Sequence, residues 1–191
     1  MEIEMPLDNI IGLIIFLLVL ISVLSVFIFS LLQKPKAKSI PSEKEFDNLA
    51  QMLQDRKFQE IALNRLSLLK DPRVFDLITS FIESLNTEDE NDRRIMIVAF
   101  LSIANINNKN TKEYLISSIK EGDVYKKYGA LKGIEYLIRE KGMKDKDFIN
   151  PLISFLNDLK ELKMKNDKRF DQNYEKTAIL LIEELTGRSF E

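Results

Sequence analysis

Apolar and polar residues alternate along this chain in two regimes. Residues 10–32 form a run of 23 without one Asp, Glu, Lys or Arg, in which only Gly12, Ser22, Ser25 and Ser30 interrupt Leu, Ile, Val and Phe. As a helix this run would be about 34 Å long, matching a hydrocarbon core of about 30 Å. It predicts a single transmembrane helix at 10–32, with a short flank at 1–9 and a linker at 33–41 rich in lysine and proline. From residue 42 to 191 the apolar positions recur every three to four residues, the period of a half-buried helix. No alternating strand pattern is present. The stops and caps predict helices at 43–54, 58–70, 72–85, 91–106, 111–120, 124–140, 146–158 and 173–186. Ser42 with Glu45 and Thr87 with Glu90 read as capping boxes, Asp71-Pro72 as a helix start, and Gly122-Asp123 as a stop followed by a start.

The helices repeat. Ala followed by Leu or Ile four and seven residues later occurs four times: Ala62-Leu66-Leu69, Ala99-Ile103-Ile106, Ala130-Ile134-Leu137 and Ala178-Ile182-Leu185. A second pattern marks the helices between them, as Leu77-Ile78 with Phe81, Leu115-Ile116 with Ile119, and Leu152-Ile153 with Leu156. The alanines are 37, 31 and 48 residues apart, the last interval widened by a segment read as an inserted loop near Asn157 to Phe170. A small residue lets the paired helix approach, and the larger residues on the same stripe fill the space between helices. One hairpin cannot bury both faces, so neighbours stack, the logic of an α-solenoid. The fold class is therefore all-α, with a membrane helix followed by a solenoid of about four hairpins.

These residues resemble HEAT repeats of the short bacterial kind, over about residues 58–187, with an armadillo-like array or an irregular helical bundle as the alternatives. The best unit is Asp123-Val124 leading to Lys127, three before Ala130, and Asn150-Pro151-Leu152 is similar to a proline-containing first helix. Leu185-Thr186-Gly187 is similar to the close of such domains. The basic residue of the motif is replaced by Gln59, Met96 and Glu175 ahead of Ala62, Ala99 and Ala178. The resemblance implies that the second helices line a concave binding face. Arg93, Arg94, Lys126, Lys127 and Lys132 are then the candidate partner-binding residues, all on those helices and expected to face solvent. Reversing Lys126 and Lys127 to Glu is accordingly expected to leave stability nearly unchanged.

Composition narrows the chemistry. The chain has no Cys and no His, which removes thiolate nucleophiles, His general bases and the usual transition-metal ligands. No phosphate loop, dinucleotide fingerprint or calcium loop is present, so no catalytic residue, cofactor or metal is expected, and an enzyme such as a HEAT-associated lyase is the weakest reading. The turn at Glu88, Asp89, Glu90 and Asp92 could hold a cation but reads better as a helix cap. Lys160 to Lys165 with Lys168 and Arg169 is the most basic stretch, read as a solvated loop able to touch anionic headgroups or an acidic partner. The formal charge of −2 offers no footprint for nucleic acid. No Lys or Arg precedes Lys34, and Lys34, Lys36, Lys38 and Lys44 follow the apolar run. The positive-inside rule places the C-terminal domain in the cytoplasm at the cell's inner membrane, the periplasm being the alternative. The expected function is a membrane-anchored adaptor or scaffold for protein partners, without a small-molecule substrate. A structural subunit of a large cell-envelope machine, of motor or secretion type, is the runner-up.

Overall fold

The computed structural model describes residues 42–106 and 108–189. The predicted flank at 1–9, membrane helix at 10–32 and linker at 33–41 lie outside the described residues. Among the described residues no helix is long and apolar enough to cross a membrane.

The described chain is all-helical. Its α-helices are α1 (Ser42–Met52), α2 (Gln59–Leu66), α3 (Arg73–Ser84), α4 (Glu90–Asn105), α5 (Thr111–Glu121), α6 (Val124–Arg139), α7 (Ile149–Met164) and α8 (Gln172–Thr186), with a 3-10 turn at Lys146–Phe148 before α7. Their starts follow local chemistry. The Asp123 carboxylate accepts the backbone N–H of Tyr125 and Lys126 at the head of α6, as Asp171 accepts that of Asn173 at α8. Asp71 accepts the N–H of Arg73 at α3. At α4 the cap is Asp89, which accepts from Asn91 and Asp92, rather than the box expected from Thr87 and Glu90. The acidic turn there is thus occupied with capping, and Asp89 and Asp92 also meet Arg56 at 3.4 and 3.3 Å.

Consecutive helices pair as α1 with α2, α3 with α4, α5 with α6 and α7 with α8. The second members then pack in succession, α2 on α4, α4 on α6 and α6 on α8, while α5 packs on α7. Ala62, Ala99, Ala130 and Ala178 are fully buried, as is the residue four positions after each. Among the first members the buried pairs are Ile78 with Ile82, Leu115 with Ile119 and Leu152 with Leu156, each pair 37 residues after the last. The register expected from Leu77 is off by one, since Leu77 is only half-buried.

A further expectation is overturned. The basic stretch around Lys160 to Lys165 is no loop, because α7 continues to Met164. Leu152, Phe155, Leu156 and Leu159 are buried and Leu162 packs against the same core, so the apolar stripe runs on beneath the lysines. The connection to α8 is consequently short, with Asn166 turning at a φ of 49°.

Candidate functional site

On α6 the residues Tyr125, Tyr128 and Lys132 fall on one stripe, three and four positions apart. Tyr128 is 4% exposed. Its ring stacks on Tyr174 of α8, with centroids 3.8 Å apart and planes within 7°. It also meets Tyr125 and Phe155 edge-on at 6.2 and 5.9 Å. The Tyr128 hydroxyl donates to the carbonyl of Arg169 and so pins the α7–α8 connection to α6. Burial, with Asp171 adding to it, pushes the Tyr128 phenol up to about 12. Burial and Asp171 also raise Tyr174. Both rings therefore stay neutral across the ordinary pH range.

Arg93 of α4 covers the end of this row. Its guanidinium carbon lies 4.7 Å from the centre of the Tyr125 ring. Its Nη1 donates to the carbonyls of Thr87 and Glu88, both at 3.1 Å. Arg93, Arg94, Tyr125, Tyr174, Lys168 and Arg169 line an open cleft of about 630 Å³, with Ile97 and Phe170 in its wall and Glu90 and Asp171 among its acids. Arg94 pairs with Glu60 at 3.2 Å, and Arg169 with Asp167 at 2.7 Å, which holds the Asp167 carboxyl down at about 2. Among the described residues Arg93 and Lys168 have no carboxylate within ion-pair reach. The cleft thus combines two cations that form no ion pair with a wall of neutral rings.

The five expected residues do not form one surface. Arg93 and Arg94 line the cleft. Lys132 lies at its margin, with Nζ 5.8 Å from the Tyr174 ring centre and 2.8 Å from Glu135. Lys126 and Lys127 point elsewhere. Lys126 pairs with Glu83 of α3, and Lys127, its side chain 14% exposed, pairs with Asp158 of α7. A helix turns about 100° per residue, so with Tyr125 and Tyr128 turned toward the cleft wall and α8, the two residues between them are carried toward the first-member helices. These lysines tie neighbouring hairpins together instead of meeting solvent.

Lys168 and Arg169 belong to the basic stretch read from the sequence as able to touch an acidic partner, whereas the tyrosines and Phe170 carry no binding expectation there. A Tyr pair three apart, followed four residues on by Lys, was the available signal. Among the described residues no acidic cluster could hold a metal ion. Two larger clefts, of about 740 and 880 Å³, border the α4–α5 connection. In the second, Lys112 is already matched by Asp145 and Asp147 at 2.9 and 2.8 Å. No family model matches the chain, and no curated protein or solved structure matches it.

Proposed function

We propose that this protein is a membrane-tethered protein-interaction module, a HEAT-like α-solenoid that holds a partner protein through the cleft over α4, α6 and α8. The observation that carries the reading is Arg93, fixed by two carbonyls above Tyr125 at an open cleft and engaged in no ion pair among the described residues. Rigid aromatic rings beside an oriented arginine are the composition of interface hot spots. The succession of second-member helices supports the solenoid. The uncharged run at 10–32 supports the tether, and the lysines after it support a cytoplasmic domain. Tethering raises the local concentration of the module for other membrane proteins.

The test is photocrosslinking of the full chain in intact membranes. A photoreactive residue replaces Gln172, exposed at the cleft, or Lys120, exposed on α5. The expected outcome is a discrete protein adduct from position 172 that is missing from position 120. Identical products from both positions, or none from either, overturn the docking reading. An adduct of fixed stoichiometry that persists through detergent purification replaces the adaptor with a structural subunit of a larger machine. Removal of residues 1–33 should release the domain from carbonate-washed membranes, and retention there would overturn the tether.

A further inference from the structure

We infer that the cleft over α4, α6 and α8 recognises a carboxylate on an acidic segment of the partner protein, gripped by the free edge of Arg93 next to a pocket for an aromatic or aliphatic side chain. The inference rests on the docking reading and narrows it to a class of sequence.

The geometry of Arg93 sets the recognition chemistry. A guanidinium has five N–H donors in one plane. Two bonds from Nη1 go to Thr87 and Glu88, and one face of the plane lies over Tyr125. Among the described residues Nε and Nη2 donate to nothing. They form one edge of the fork, the edge that accepts both oxygens of a carboxylate side by side. Because carbonyls and a ring already fix the plane, little side-chain freedom remains to be lost on binding. Lys168, near Asp167 but in no ion pair among the described residues, adds a second cation at the same cleft.

The wall of the cleft defines the rest of the occupant. Ile97, Phe170 and Tyr125 are half-buried there, leaving apolar surface within the same cleft as the two cations. Glu90 and Asp171 belong to the lining too. Asp171 is committed to the α8 cap, and Glu90 stands one turn before Arg93 on α4. A polyphosphate chain would bring a charge to each of them, whereas a segment with spaced Asp or Glu and one apolar residue can avoid both. The match is thus to an acidic peptide carrying an aromatic or large aliphatic side chain.

The experiment measures fluorescence anisotropy of labelled peptides against the full chain in neutral nanodiscs. The probe is a peptide of about twelve residues with Glu on both sides of a single Phe, close to the number such a cleft and its rims can contact. The comparison peptides replace Glu by Gln, or Phe by Ala. The acidic Phe peptide should bind, and the Gln peptide should lose at least about tenfold in affinity. Arg93→Lys keeps the charge but removes the fork, so it should also lose about tenfold or more. Lys168→Gln should lose roughly two- to fivefold, and Lys120→Gln nothing. Melting temperature and helical circular dichroism, unchanged in Arg93→Lys, exclude a folding defect. Full binding by Arg93→Lys, or equal binding of the Glu and Gln peptides, overturns the inference. Uptake of short-chain phosphatidylglycerol in place of the peptide overturns it in favour of a lipid headgroup. If the Gln172 adduct forms and survives Arg93→Gln, the carboxylate inference falls and docking stands. If no adduct forms, docking itself falls.

Discussion

The two flanks of α6 solve the problem of helix contact in opposite ways. Toward α4 it presents glycine. A Cβ on Gly129 would lie 2.3 Å from Cδ2 of Phe100, and one on Gly133 would lie 2.7 Å from Leu115 and 3.2 Å from the Phe100 carbonyl. Toward α8 it presents Tyr128, stacked on Tyr174 and bonded to the Arg169 carbonyl. The first contact is close, dry and intolerant of added volume, because packed interiors have almost no slack. The second is built of rings with polar ends, with Tyr128 buried in the stack and the half-buried Tyr174 reaching the cleft. A single helix can therefore be fastened on one side and left open for binding on the other.

The largest effect should come from filling the glycine side. Ala130→Phe inserts a ring at a fully buried position and should lower stability by about 3 kcal/mol or more, read as a fall in melting temperature. Gly129→Ala is the finer version. Helix propensity favours the alanine by up to about 1 kcal/mol, but the methyl meets Phe100, itself stacked on Tyr114 at 5.9 Å, so the net change should still be destabilising. A stabilised Gly129→Ala would mean that the contact with α4 can yield, and the contrast between the flanks would disappear.

Away from the glycines the effects should be smaller. Lys127→Glu places a carboxylate against Asp158 in a half-buried setting and should cost about 1 kcal/mol, recovered in part by Asp158→Lys. This replaces the expectation that the position is an exposed contact with no bearing on stability. Tyr128→Phe keeps the stack and deletes the hydroxyl, leaving the Arg169 carbonyl without that donor, for a loss of about 1 kcal/mol in denaturant unfolding.

The smallest effect concerns pH. The folded state raises the Tyr128 phenol to about 12, so it favours the neutral form. The stability this contributes is complete below the unfolded value of about 10 and is lost as pH rises through the folded value. Alkaline unfolding should show this loss in the wild type and a smaller one in Tyr128→Phe, since Tyr174 and Tyr114 are raised as well. Peptide affinity should be flat from about pH 6 to 9, since no histidine is present, and should fall near pH 4 as the peptide carboxylates protonate. A midpoint near neutrality would point to a different ligand group.

The helices and their pairing were legible because their signals are local. Asp71 and Asp123 mark starts, and four buried alanines mark the shared stripe. The end of α7 was not legible, because Lys160, Lys163 and Lys165 dominate the composition while Leu159 and Leu162 alone carry the stripe. At the site, charge drew attention to Lys126 and Lys127, whose partners Glu83 and Asp158 are 43 and 31 residues away. Tyr125 and Tyr128 look like ordinary core spacing, and only Tyr174 from α8 and Arg93 from α4 turn them into a cleft wall.

The Tyr128–Tyr174 stack crosses the junction between two successive hairpins, and Arg93 over Tyr125 crosses the junction before it. In the proposed solenoid, stacked helical pairs act as a spring, in which small rotations at each joint add into curvature. A cleft assembled across two joints acts as a strain gauge for that spring. Bending that opened the joints would slide the rings apart and widen the cleft, and an occupant wedged among them would stiffen the coil.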